Sequence, residues 1–160
     1  MTSPAAGPAA GSRAPDFRTQ NQYGEPVRLS DYGGRRDVVL VFYPYAFSQV
    51  CTSELTALRD RPDLLAAAEF LAISCDPMFT LRAYADAQQL PFGLLTDFWP
   101  HGAIASSYGV FDPDRGCALR GTFVIDRTGI IRWSVVNPLP EARNLDDYAE
   151  ALASLHSDLG

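Results

Sequence analysis

The run Val38-Val39-Leu40-Val41-Phe42-Tyr43 constrains this chain more than any other stretch. Consecutive aliphatic and aromatic residues without polar alternation read as a strand buried on both faces, the pattern of a central strand in a layered α/β domain. Pro44 has no amide hydrogen and biases Tyr43 toward extended geometry, so the strand stops there and the chain turns. Ser48 is then placed to cap a helix running from Gln49 to Arg61, with Val50, Leu55 and Leu58 roughly on one face and Pro62 ending it. Cys51 falls in the first helical turn. There, unpaired backbone N–H groups and the positive end of the helix dipole favour a thiolate over a thiol.

The remaining elements follow from local pattern. Phe17–Thr19 and Pro26–Leu29 predict a hairpin around Tyr23-Gly24-Glu25, and Phe70–Ser74 predicts a second buried strand, parallel to the first because a crossover separates them. Asp63–Ala68 continues helically, and Asp76-Pro77 opens a helix reaching Gln88. Phe92–Leu95 is a short strand, residues 96–102 an aromatic loop, and Ala103–Tyr108 a short helix. Ala118–Asp126 and Ile130–Val136 form an antiparallel hairpin around Arg127-Thr128-Gly129, and Leu145–Leu155 closes the chain as an amphipathic helix. This order predicts an α/β fold with a central mixed β-sheet flanked by helices and an N-terminal β-hairpin. A length of 160 residues suits one domain, expected over 14–160, behind a flexible tail at 1–13 rich in Pro, Gly and Ala. Tyr43, Phe47, Phe98 and Trp99 are expected to lie in the core, with a dimer contact as the next reading.

Composition excludes several classes. A net charge of −6 with no basic cluster argues against nucleic acid. No apolar segment approaches the span of a bilayer and no leader pattern is present, so a cytoplasmic protein is expected. His101 and His156 are far apart and the cysteines lack ligand spacing, so no metal or other cofactor is expected. Cys51-Thr52-Ser53-Glu54 lacks the second cysteine of a dithiol motif, and Gly33-Gly34 lacks the spacing of a phosphate loop.

The segment Pro44-Tyr45-Ala46-Phe47-Ser48-Gln49-Val50-Cys51 is similar to the Pro-x-x-x-Thr/Ser-x-x-Cys signature of peroxiredoxins, cysteine-dependent peroxidases on a thioredoxin-like fold. Leu119-Arg120-Gly121-Thr122-Phe123-Val124-Ile125-Asp126 resembles the family's arginine-bearing strand. Asp97-Phe98-Trp99-Pro100-His101-Gly102 resembles the one-cysteine, AhpE-type branch. The likeness runs from about Ala14 to the C-terminus. It implies that Cys51 is the peroxidatic cysteine, Ser48 the hydroxyl donor, Arg120 the guanidinium and Pro44 the shield. As a thiolate attacks one peroxide oxygen, charge builds on the other, and donors aimed at that leaving oxygen bind the transition state better than the ground state. Arg120 suits the task because its fork is permanently charged. Glu54 either orients an arginine or simply makes the first turn acidic.

The sulfenic acid formed at Cys51 then needs a reductant. Thr56 and the tail Ser157-Asp158-Leu159-Gly160 occupy places where two-cysteine relatives keep a resolving thiol. Cys75 is expected to be buried. Cys117 is a possible resolving thiol if exposed, although a bystander is the favoured reading. The resemblance therefore implies a peroxide substrate, an external low-molecular-weight thiol or redoxin-type reductant, and a homodimer or higher homo-oligomer. A peroxide sensor and a thiol-disulfide exchange protein are the alternatives.

Overall fold

The computed structural model describes residues 7–157. In chain order, β1 (Arg18–Gln20) and β2 (Pro26–Arg28) make an antiparallel hairpin, and a 3-10 turn at Leu29–Tyr32 leads to β3 (Val38–Phe42). Then come α1 (Gln49–Arg59), α2 (Pro62–Ala67), β4 (Glu69–Ser74), α3 (Met78–Gln88), β5 (Gly93–Thr96) and α4 (Ala103–Ser107). The short strands β6 (Phe111–Asp112) and β7 (Cys117–Ala118) form a small antiparallel ribbon, before β8 (Arg120–Ile125), β9 (Ile131–Asn137) and α5 (Leu145–Ser157). The main sheet has the spatial order β5-β4-β3-β8-β9, with β3, β4 and β5 parallel and β8 antiparallel to both its neighbours. This is the mixed, helix-flanked sheet expected from the sequence, with its N-terminal hairpin.

All five residues of β3 are buried because the sheet is covered on both sides. Val39, Val41 and Tyr43 point to one face, where Leu55 and Leu58 of α1, Leu64 of α2, Leu81 and Tyr84 of α3, and Tyr148 and Leu152 of α5 pack. Val38, Leu40 and Phe42 point to the other face, toward Ile104 and Ala105 of α4, Tyr108, and Phe17 and Leu29 from the N-terminal segment. The period-2 geometry of a strand thus delivers successive apolar residues to two separate cores.

Several boundaries differ from expectation. The helix predicted to reach Arg61 stops at Arg59, and Pro62 begins a second helix instead of merely ending the first. Proline is accepted at a first helical position because its missing N–H would be unpaired there anyway. The predicted strand at 118–126 is interrupted at Leu119, whose N–H donates to Val110 O at 2.7 Å, and this splits off the β6–β7 ribbon. Of the tail expected to be free, residues 1–6 lie outside the described residues, and the chain is tied down from Gly11 onward. Gly11 N–H donates to Ile131 O at 2.7 Å, Ile131 N–H to Ser12 O at 2.9 Å, and Ala14 N–H to Gly129 O at 2.9 Å. Tyr43 is in the core as expected, but Phe47, Phe98 and Trp99 are 53%, 47% and 83% exposed. They sit beyond strand ends, in loops whose backbone turns the rings outward.

Candidate active site

The loop between β3 and α1 carries the first part of the site. Pro44 is buried, and Phe47 adopts a left-handed backbone, φ +68°, which costs a non-glycine residue about 1–2 kcal/mol. The ring of Phe47 packs against Tyr84 of α3 at 4.8 Å between centroids, and Tyr84 Oη lies 2.9 Å from Thr52 Oγ1. Ser48 is the N-cap of α1, and its carbonyl accepts the first helical bond, from Thr52 N–H at 2.9 Å. Its hydroxyl does not cap the helix as predicted. It donates instead to Tyr45 O at 3.0 Å, because the left-handed turn at Phe47 folds the chain back onto that carbonyl. The proton that the donor role requires is therefore engaged with Tyr45 O, while the hydroxyl oxygen's lone pairs stay available. The same peptide unit is held from its other end, since Ala46 N–H donates to Asp76 Oδ2 at 2.8 Å, and that oxygen also accepts from Ser74 Oγ at 2.7 Å.

Cys51 is the third residue of α1, and its side chain is fully buried rather than open at the helix mouth. The helix and the folded-back loop close over it, and Arg120 closes it from the sheet. Arg120, the first residue of β8, donates from Nη1 to Cys51 Sγ at 3.2 Å and to Glu54 Oε1 at 2.6 Å. A permanently charged guanidinium on the sulfur is the counter-charge that an anionic sulfur needs, and it is held in place from behind by a carboxylate.

Glu54 is the junction of this network. Its Oε1 also accepts from Arg143 Nη2 at 2.9 Å, and its Oε2 accepts from Arg143 Nε at 2.8 Å and Arg143 N–H at 2.7 Å. Burial pushes the Glu54 carboxyl up, but its bonds and charge attraction to Arg143, joined by Arg120, outweigh this and hold it below the usual carboxylate range. Of the two readings left open for Glu54, the one in which it orients an arginine matches this geometry. The β3–β8 ladder ends at Val41 opposite Thr122, and the next two carbonyls, Phe42 O and Gly121 O, both accept from Arg143 Nη1, at 2.7 and 2.9 Å. Arg143 thus joins the two strands just where they part to make room for the site.

Arg143 is the residue that sequence reasoning missed. It stands alone in a loop between Ala142 and Asn144, with no motif to mark it. The one signal in the sequence was Glu54, a carboxylate three residues after Cys51 that calls for a basic partner without specifying which arginine supplies it. The other two cysteines are free and buried. Burial raises the Cys75 thiol to about 12, with Asp97 adding to the shift. Cys117, the possible resolving thiol, is not exposed as that role required. It lies in β7 beneath the loop, with Tyr45 Oη donating across it to Arg115 O at 3.1 Å, and burial raises its pKa too.

This fold and this cysteine–arginine constellation place the chain in a known class. It belongs to the AhpC/TSA family, which it matches over residues 10–134. Among curated relatives it is 44% identical over 150 residues to alkyl hydroperoxide reductase E of Mycobacterium tuberculosis, covering 91% of this chain and 96% of that one. It is also 36% identical to the chloroplastic 2-Cys peroxiredoxin BAS1 of Hordeum vulgare, over 92% of this chain and 75% of the relative. Among solved structures, reduced 2-Cys peroxiredoxin of Plasmodium vivax superposes with a TM-score of 0.84 at 28% identity, covering 94% of this chain and 85% of that one. Peroxidoxin BcpB of Mycobacterium tuberculosis superposes with a TM-score of 0.78 at 31% identity, covering 92% and 96%.

Proposed function

We propose that this chain is a thiol-dependent peroxidase acting on hydrogen peroxide, organic hydroperoxides or peroxynitrite. The single observation that carries the reading is Arg120 donating to Cys51 Sγ at 3.2 Å while anchored on Glu54. The Cys51 thiolate attacks one oxygen of the peroxide and the O–O bond breaks. Cys51 becomes a sulfenic acid, and the departing oxygen leaves as water from hydrogen peroxide, within an alcohol from an organic hydroperoxide, or within nitrite from peroxynitrite. Arg120, in contact with the sulfur, is placed to stabilise charge on the departing oxygen. Ser48 keeps its proton on Tyr45 O, so its oxygen accepts the peroxide O–H and holds that hydroxyl oxygen toward the sulfur, leaving the other oxygen to depart. Pro44 withholds a competing N–H and fills space that water would occupy.

Reduction by an external thiol or a redoxin-type protein is favoured, because burial keeps the Cys75 and Cys117 thiols protonated. One thiol displaces water from the sulfenic acid to form a mixed disulfide, and a second releases Cys51. Homology to named peroxidases supports the activity. The exposed rings of Phe79, Phe98 and Trp99 support a homodimer or higher homo-oligomer. No described helix is long and apolar enough to cross a membrane, which is compatible with a cytoplasmic location.

Mass spectrometry after one equivalent of hydrogen peroxide tests the proposal. The expected product carries one added oxygen on Cys51, trapped by a sulfenic-acid reagent, and turnover continues when thiol is supplied. Replacing Arg120 by Met is expected to slow this oxidation by about 10²–10³-fold, the usual effect of removing a donor to a developing oxyanion. A Cys51–Cys117 disulfide would instead make Cys117 an internal resolver. Oxidation without turnover under any thiol supply would favour the sensor reading. Reduction of insulin disulfides that depends on Cys51, with peroxide consumption independent of it, would favour disulfide exchange.

A further inference from the structure

The peptide unit joining Tyr45 to Ala46 is held at both ends by groups with different tasks. Its N–H donates to Asp76 Oδ2 at 2.8 Å, and its C=O accepts the Ser48 hydroxyl at 3.0 Å and, more loosely, the Ser48 N–H at 3.4 Å. A trans peptide is rigid and planar with its N–H and C=O directed oppositely, so fixing one end aims the other. Asp76 is itself braced: its Oδ2 accepts from Ser74 Oγ at 2.7 Å, and its carbonyl accepts from Thr96 Oγ1 at 2.7 Å. The chain of bonds therefore runs from the β4–α3 loop, through one peptide plane, to the hydroxyl beside Cys51. Hydrogen bonds in such a series polarise one another.

We propose that Asp76 is a positioning residue for the peroxide step, acting through the Tyr45–Ala46 peptide to aim the Ser48 hydroxyl and to keep the loop closed over Cys51. The inference rests on the peroxidase reading for its functional consequence. Asp76 touches neither the sulfur nor the peroxide. It determines which way the Tyr45 carbonyl points, and hence whether the Ser48 oxygen faces the site with free lone pairs. It also opposes the tendency of Phe47 to leave its left-handed backbone, φ +68°. Without the carboxylate, two things follow: the hydroxyl loses its direction, which slows peroxide, and the loop opens, which admits bulkier reagents.

The test compares wild type with Asp76→Ala and Asp76→Asn in two reactions of the reduced protein, each read at Cys51 by peptide mass spectrometry. One is oxidation by hydrogen peroxide; the other is alkylation by iodoacetamide, which needs access to the sulfur but not the Ser48 hydroxyl. Asp76→Ala is expected to slow oxidation at least tenfold and to speed alkylation severalfold. Asp76→Asn keeps a carbonyl acceptor and is expected to stay within about threefold of wild type in both. In a Ser48→Ala background, Asp76→Ala should no longer slow oxidation, because the group it aims is gone. If Asp76→Ala does not fold, hydrogen exchange at the Ala46 amide in wild type and Asp76→Asn replaces it. Strong protection in both supports the latch, and unprotected exchange in wild type overturns it. The proposal is also overturned if both rates move by the same factor, if Asn behaves like Ala, or if the Asp76 effect persists without Ser48. Should wild type oxidise no faster than free cysteine, the peroxidase reading fails, while the alkylation ratio still tests the latch.

Discussion

Glu54 is where the energetics of the site concentrate. One carboxylate, 5% exposed at its side chain, compensates two buried guanidiniums. Removing one partner of a buried ion pair leaves an uncompensated charge, so Glu54→Gln is expected to lower unfolding free energy by about 3–5 kcal/mol, measured by urea denaturation at pH 7. The sign of its pH dependence follows from a carboxyl held below its usual range in the folded state. Its stabilisation is complete above the unfolded value of about 4.3 and is lost as pH falls through the lower folded value. The gap between wild type and the Gln variant should accordingly narrow in that acid window. Cys51 stood out in the sequence by its place in the first helical turn after an apolar strand, whereas Ser48, Pro44 and Arg120 were candidates through the resemblance of two separate segments to peroxiredoxin motifs. Arg143 was not legible, since its position depends on a loop returning across the strand ends. Nor was the proton of Ser48, whose direction depends on the backbone at Phe47.

Elements were legible in proportion to how strongly their sequence punctuates itself. The all-apolar β3 leaves no other assignment for its residues. The two-residue strands β6 and β7 have no period to detect, and they exist because Leu119 N–H finds Val110 O. Their ribbon is wedged against the loop before α4 at Gly102, where an added Cβ would sit 2.3 Å from the Phe111 ring and where φ is +73°. Gly102→Ala thus combines an overlap with a backbone penalty and is expected to destabilise by about 2–4 kcal/mol. Gly116→Ala supplies the comparison: φ is +69° there, but an added Cβ would meet only His101 Nε2, at an ordinary contact distance of 3.6 Å. That substitution should lose only the backbone part, about 1–2 kcal/mol. Thermal unfolding of the two variants separates the contributions.

Across the whole molecule, the same two-faced sheet that makes the protein stable also encloses its sulfur chemistry. Cys51 and Cys117 are fully buried and Cys75 nearly so, all three as free thiols. In the native reduced protein, a bulky aromatic disulfide reagent is expected to titrate the thiols slowly, with all three reacting at once only after denaturation. Prompt reaction of one thiol in the folded state would show that the loop over Cys51 opens readily. The layered architecture was foreseeable from apolar runs and crossovers. The enclosure was not, since a helix start reads as an exposed place until the loop before it is seen to fold back. The Arg143 side chain, seated between the parting strands, gives this enclosure a further meaning. This arginine comes from the loop between β9 and α5, beyond the last strand of the sheet. A fragment cut after β9 would keep the nucleophile and its neighbouring donors but leave Glu54 without Arg143 and two strand carbonyls bare. Any graft, fusion or trimmed variant that aims to carry the chemistry must therefore include the chain beyond the sheet, because the last piece of the reaction chamber arrives from there.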